Sequence, residues 1–504
     1  MSLDPEFVQE CLRANELGDG LLYAAIHQGR YVYASNQGLW YRWDGHSWAR
    51  DDLDQAVAAV EDVAAAYADE IQRLGADLAE ALAQEREGQA AQLRATIKAL
   101  RRRIDRLRTD AGRRNCLRFA AVNPSRPLAI RGDEFDRNPW LLAVANGVVD
   151  LRSGEIEPGR QEDYIARRSP VVWPEDRRLE DLEAPLWEQT LEEIYGDEEI
   201  VSYLQRLFGY AIAGRNSEHI FPIFWGRGRN GKSLMVETLH YVLGGYAGSV
   251  PAEMLLDVGR PTSSAQSSPD LMSLKGLRLA IASETDEGRR FSISRVKWLT
   301  GGDTLTARGL YERHMTEWEP THLLVLLTNN RPAASGDYAF WSRCQLIPHP
   351  HSFVPDPRSP HERPADPNRA QKLREEAAGI LAWLIRGCLE WQQVGLRPPE
   401  SVQVATQEYA DEEDYVGRFL EACTEVGDGY RVSASDLYAA FSLWYQGNVS
   451  SRRSYTPSQK SFTSKVHALD RYQRIKSNGY YHFLGLRLTE EWAARIREVQ
   501  PDDT

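Results

Sequence analysis

Apolar residues return along this chain in three rhythms, and each predicts a different element. From Leu53 onward they recur at threes and fours: Leu53, Val57, Val60, Tyr67, Ile71, Leu74, Leu78 and Leu82, then Leu93, Ile97, Leu100, Ile104 and Leu107. This is the helical period. It predicts a helical hairpin or short coiled coil over residues 53–115, turning near Gly88. A second rhythm is short and aromatic. Residues 20–50 are rich in Tyr and Trp, with turn signals at Asn36-Gln37-Gly38 and Asp44-Gly45, and predict a small β-rich region over 1–52. The stretch "WLLAVANGVVDLRSGEIEP" predicts two more strands in a β-rich accessory region, 116–180. The third rhythm is the unbroken apolar run. "HIFPIFW", "LRLAIAS" and "THLLVLL" read as buried strands of a core over 181–355, entered through the helical stretch "LWEQTLEEIYGDEEIVSYLQRLFGYAIAG". A proline-rich loop then leads to a helical lid and linker, 356–415. Residues 416–504 read as three small helices followed by the aromatic hairpin "GYYHFLGLRL", the outline of a winged-helix-like domain.

At 504 residues the chain is too long for one core, and its class is α/β. No apolar run approaches the length of a membrane span, and "MSLDPEFVQE" lacks the basic start and apolar stretch of a signal peptide, so no membrane partner and a cytoplasmic location are expected. Five scattered cysteines without CxxC spacing predict neither zinc nor disulfides. The net charge of −13 argues against nucleic acid, yet the basic residues cluster. "LRATIKALRRRIDRLRTDAGRRNCLR" holds ten Lys and Arg against two Asp. This run is either a solvated helix face or a DNA contact.

The chemistry begins at "GRGRNGKSLMVETL". Gly226, four residues, then Gly231-Lys232-Ser233 is a full Walker A pattern between a strand and a helix. The glycines let backbone N–H groups face phosphate oxygens, and the helix adds its positive end. Lys232 places a point charge on the β/γ-phosphates, and Ser233 offers an oxygen to Mg²⁺. Candidate nucleotide contacts are Gly226, Arg229, Asn230, Gly231, Lys232, Ser233 and Leu234; the implied cofactors are ATP and Mg²⁺. About fifty residues on, "LRLAIASETDEG" ends an apolar strand in Glu284, placed to hold Mg²⁺ or polarise water, with Asp286 and Glu287 able to share that role. The run "THLLVLLTNN" ends in Asn329, which can orient the attacking water; Asn330 is adjacent. Arg343, in "FWSRCQLIP", suits a finger that reaches a neighbouring subunit's nucleotide. Between the carboxylate and asparagine strands, "DTLTARGL" and "MTEWEP" can pair as a β-hairpin with Tyr311, Glu312, Arg313 and His314 near its tip. A basic and aromatic tip suits single-stranded nucleic acid.

In order and spacing, "GRGRNGKS", "LRLAIASE", "KWLTGGDTLTARGLYERHMTEWEPT", "LLVLLTNNRP" and "FWSRCQLIP" resemble the Walker A, Walker B, B-prime, sensor and arginine-finger motifs of superfamily 3 helicases of the AAA+ class. The similar branch is the one attached to virus-, phage- and plasmid-encoded primases. The resemblance extends upstream through "NGVVDLRSGEI" and "LQRLFGYAIAG". It implies an AAA+ P-loop ATPase core in a homo-oligomeric, usually hexameric ring, moving along single-stranded DNA, typically 3′ to 5′, and opening forked DNA. By position it makes Lys232, Glu284, Asn329 and Arg343 catalytic, and Lys297, Arg308, Tyr311, Arg313 and His314 the DNA grip. Three departures stand out. Residues 1–120 carry neither the aspartates nor the zinc site of a primase domain, so any primase would be a separate partner. The carboxylate strand has one Glu in place of an acidic pair, and the hairpin tip lacks lysine. The competing readings are a P-loop ATPase that loads or switches without displacing strands, and an initiation protein that only remodels an origin.

Overall fold

The computed structural model describes the chain except residues 1–2, 126, 258–268, 284–288, 310–314, 335–337, 450–455, 470, 478–479 and 500–504. At its centre five strands form one parallel sheet. Phe221–Trp225 is flanked by Cys344–Pro348 on one side and Leu323–Thr328 on the other, followed by Leu279–Ser283 and then Ala247–Pro251. A parallel sheet is covered on both faces, which explains the unbroken apolar runs. Alternate residues feed two separate cores. Leu279, Ile281, Leu323 and Val325 pack with the helices Pro185–Tyr195, Glu198–Ile212 and Ala377–Val394. Ala280, Ala282, Leu324 and Leu326 pack on the opposite face with Val296, Leu299, Leu305 and Phe340.

The N-terminal region departs from its expectation. It opens with two helices, Pro5–Arg13 and Asn15–His27, and strands come only at Tyr31–Ala34, Leu39–Trp43 and Trp48–Arg50. Asp4 caps the first helix by accepting from the Glu6 amide at 3.0 Å, with Pro5 in the first turn. The second helix contains Gly20, which argues against a helix in sequence. Here it lets that helix touch another, since a Cβ on Gly20 would lie 2.5 Å from the Phe119 Cβ. The hairpin helices run Val60–Ala83 and Glu87–Leu107. Their turn falls at residues 84–86, with Glu85 left-handed (φ 56°), and Gly88 lies inside the second helix. A further helix, Asp110–Val122, runs through the expected boundary at 115. The accessory region holds three antiparallel strands in place of two: Leu141–Val144, Gly147–Asp150 and Glu155–Glu157.

The accessory region is fastened to the sheet by buried polar contacts. Arg278, just before the Leu279 strand, donates to the carbonyls of Ile212 and Leu141, and its guanidinium lies 4.5 Å from the Tyr246 ring centre. After the core, the short parallel strands Ser352–Val354 and Glu362–Pro364 precede the helices Arg369–Glu375, Ala377–Val394 and Glu400–Glu413. The last region differs from the expected order by a strand, Thr424–Ser433, between its first and second helices, and by a final helix, Glu490–Val499. Its sheet has the Tyr480–Leu488 strand in the middle, and Phe419, Phe441, Phe462 and Phe483 fill its core. Among the described residues no helix is long and apolar enough to cross a membrane.

Candidate functional site

The loop after Phe221–Trp225 turns at the carboxyl end of its strand and feeds directly into the helix Lys232–Leu243. Two glycines make the turn possible. A Cβ on Gly226 would lie 2.3 Å from Asn230 Nδ2 and 2.8 Å from the His349 carbonyl oxygen. Gly231 has φ 81° at the helix cap, and a Cβ there would lie 2.6 Å from Ile194 Cδ1. Around Gly228 there is open space.

Lys232 is buried, at 6% exposure. Its ammonium donates to the Gly226 carbonyl (2.6 Å), Asn230 Oδ1 (3.0 Å) and Asn329 Oδ1 (3.0 Å). Among the described residues no carboxylate meets it. Burial without a counter-charge pulls the ammonium down to about 8. Asn230 spends its carbonyl side-chain oxygen on Lys232, and its Nδ2 is buried without a partner among the described residues. A cation held only by neutral oxygens, beside an unpaired amide donor and an open turn, is a set that an anionic phosphate completes.

The strand that carries Asn329 is the immediate neighbour of the loop strand, which is why Asn329 reaches Lys232. The Asn330 amide instead donates to Thr328 Oγ1 at 3.1 Å. The carboxylate strand, Leu279–Ser283, is one place further out, with the asparagine strand between it and the loop strand. Glu284, Asp286 and Glu287 lie outside the described residues. Ser233 is exposed at the first turn of its helix, open to a cation, and Leu234 is half-buried beside it. Among the described residues no group of three His, Cys, Asp or Glu is arranged to hold a metal ion.

Sequence reasoning missed the supports of this loop. His349, one residue past the Cys344–Pro348 strand, is buried beneath the loop. Its Nδ1 is 3.0 Å from the Asn230 carbonyl oxygen, and its Nε2 is 2.8 Å from the Tyr195 hydroxyl. The carbonyl can only accept, so Nδ1 carries the proton and Nε2 accepts from Tyr195. Burial holds this imidazole neutral, pushed down to about 3 against the pull of the carbonyl. A cavity of about 270 Å³ opens beside the loop, walled by Thr190, Glu193, Phe353, Ala365, Asp366 and Arg369 and by Arg229 of the loop itself. Arg369 braces it, donating to Thr190 Oγ1 at 2.9 Å and pairing with Glu193 at 3.0 Å. No local pattern marks these residues, because their meeting depends on helices far apart in sequence.

Arg343 lies away from this cavity. Its neighbour Cys344 is in register with Phe221 at the start of the loop strand, whereas Pro348 is in register with Trp225 at the loop end. That separates Arg343 from its own loop by about 15 Å of strand. Its guanidinium donates to the Ala339 carbonyl at 2.5 Å, and its Nε is buried without a partner among the described residues. The expected hairpin has a short antiparallel stem, Leu305–Ala307 paired with Thr316–Trp318. Arg308 follows the first stem strand, and Lys297 sits on the helix Ile293–Leu299 beside it in sequence. Tyr311, Arg313 and His314 lie outside the described residues.

Comparison with known proteins adds a family. Residues 21–196 match the family described as "D5 N terminal like". That segment ends one residue past Tyr195 and so includes Thr190, Glu193 and Tyr195 of the site. The chain is 25% identical over 446 residues to a protein of Acanthamoeba polyphaga mimivirus, covering 84% of this chain and 45% of that one. It is 24% identical over 474 residues to one of Frog virus 3 (isolate Goorha), covering 80% and 47%. Both are named "Putative helicase". The chain thus spans about half the length of these relatives. Among solved structures it is similar to "The A form apo structure of NrS-1 C terminal region", at 9% identity and TM-score 0.35 over 69% of this chain and all of that one. The chain is thus similar to viral proteins named as helicases, in line with the resemblance of its motifs to the virus, phage and plasmid primase-helicase branch of superfamily 3.

Proposed function

We propose that the chain is the ATP-driven motor of a DNA helicase: a ring-forming, AAA+ type P-loop ATPase that translocates on single-stranded DNA, 3′ to 5′, and unwinds forked duplex during replication of a phage, plasmid or virus. The observation that carries this reading is Lys232, buried among neutral oxygens and bonded to Asn329 at the carboxyl end of a parallel sheet. The insertion of the asparagine strand between the loop strand and the carboxylate strand agrees with the AAA+ class. ATP–Mg²⁺ would sit on the loop, with Ser233 and Glu284 toward the metal ion, Asn329 toward the γ-phosphate and the base in the cavity braced by Arg369. Arg343 stands too far from its own loop to touch that nucleotide, which supports a role in trans across a subunit interface. The hairpin whose stem is Leu305–Ala307 and Thr316–Trp318 would grip the strand, with Lys297, Arg308, Tyr311, Arg313 and His314 lining or bracing it. The helix–strand–helix–helix–hairpin order of the last region fits a winged-helix module that supplies loading specificity.

Strand displacement on forked DNA tests this, with Lys232→Ala as the inactive control. Duplex opening that requires ATP and vanishes in the control is the expected result. Robust hydrolysis stimulated by single strands with no opening would hand the chain to a loader or origin remodeller. Arg343→Ala should abolish turnover while ATP binding and assembly persist; retained hydrolysis would remove the finger role.

A further inference from the structure

The fold leaves Arg118 exposed on the helix Asp110–Val122 and divides the other nine cations of the basic run, residues 93–118, into two groups. Five of the run's ten cations pair with acids of the same chain. Arg103 is buried against Asp19 (3.2 Å), Arg106 pairs with Glu16, Arg108 and Arg113 share Glu61, and Arg114 meets Asp110 (2.6 Å). Arg94, Lys98, Arg101 and Arg102 are exposed and make no ion pair or hydrogen bond among the described residues. All four sit on the helix Glu87–Leu107. At 100° per residue they fall within an arc of about 100°, strung over about 12 Å of helix axis. The opposite face of the same helix is the core side, with Leu100, Arg103, Ile104 and Leu107 buried. Acids share the outer face only at its ends, at Glu87 and Asp105.

We infer that this helix face binds the sugar-phosphate backbone of double-stranded DNA. Arg94, Lys98 and the adjacent pair Arg101 and Arg102 set cations at three levels about one helical turn apart, a spacing that matches a row of phosphates, and neutralising them releases condensed counterions. The residues between them decide the form of nucleic acid. Ala91 and Ala95 are exposed there, small enough for the helix to come close, and no aromatic ring stands on the face. Single strands are held by rings on which bases stack, whereas a duplex keeps its bases inside and offers phosphates alone. The contact therefore reads no sequence. It is separate from the hairpin and needs no nucleotide, so it stands or falls independently of the motor reading.

The test is fluorescence anisotropy of the full chain with a labelled blunt duplex of about 20 base pairs, and with a single strand of the same length, across a salt series without nucleotide. The quadruple variant Arg94→Gln, Lys98→Gln, Arg101→Gln, Arg102→Gln should bind duplex at least about tenfold more weakly at low salt. Its plot of log affinity against log salt should be shallower by about 3 to 4, near 0.9 for each cation removed. Single-strand binding should not change. The charge-keeping variant Arg94→Lys, Arg101→Lys, Arg102→Lys should restore duplex binding, which separates loss of charge from loss of folding. An unaltered duplex slope in the glutamine variant overturns the proposal and leaves the face to an acidic protein. An equal loss for single strands, or failure of the lysine variant, overturns it too.

Discussion

Two places in this molecule suit phosphate, and they do so under opposite electrostatic conditions. At the loop a single lysine is buried, stripped of water and held by three neutral oxygens. On the helix Glu87–Leu107 four cations stand exposed to water, their charges surrounded by solvent. The buried cation is costly until an anion arrives, so its field is strong, short in range and weakly screened. The exposed cations cost nothing to display, and each interacts weakly, over about a Debye length, and less so as salt rises. One arrangement suits tight, oriented holding of a small ligand whose bonds will change. The other suits loose retention of a long polymer that must slide.

The sharpest way to break this contrast is to remove the buried charge. Lys232→Met should weaken ATP binding by about a hundredfold or more, the scale of losing one preorganised donor to a charged group, measured by calorimetry. The same change should alter the pH dependence of the nucleotide-free protein. The folded ammonium loses its proton near 8, whereas an unfolded lysine holds its proton to an ordinary 10.5. The folded state thus binds fewer protons between these values, and stability must rise with pH across that window. Denaturant unfolding at pH 7, 8 and 9.5 should show this rise in the parent and not in the variant; identical pH profiles would mean that Lys232 is not desolvated.

Smaller effects belong to the supports. His349→Ala leaves the Asn230 carbonyl unpaired and the Tyr195 hydroxyl with only its weak contact to the Met235 sulfur (3.6 Å) above a new void, and should cost about 2–4 kcal/mol of stability together with nucleotide affinity. Tyr195→Phe removes one hydrogen bond and should cost about 1 kcal/mol. If both variants bound ATP like the parent, the loop would not depend on the helix Pro185–Tyr195 for its shape. Smallest of all, Lys98→Gln alone should change stability by less than about 0.5 kcal/mol while lowering the duplex salt slope by about 0.9. A large loss of stability there would show that the face is structural.

Local pattern carried far in this protein where the physics is local. The phosphate loop was legible because a glycine-bounded turn, a lysine and a following helix are consecutive. The central strands were legible because a sheet covered on both faces demands unbroken apolar runs. The helical hairpin was legible from its period, although its turn moved from Gly88 to residues 84–86. The first two helices stand within the region, 1–52, where the Tyr and Trp of residues 20–50 predict β structure; Gly20 weakens the helix signal of the second, and only the approach of Phe119 explains that glycine.

What sequence alone determined, then, was the central strands, the helical hairpin, the loop chemistry and the presence of ten cations in one run. Tertiary structure decided which of those cations are spent on Asp19, Glu16, Glu61 and Asp110 and which remain for a partner. It also decided that Asn329 meets Lys232, and that His349 and Tyr195 hold the loop from below. The reason is that desolvation and pairing are properties of neighbours in space. A residue's charge is written in its own chemistry, but the cost of that charge is set by what the fold brings against it.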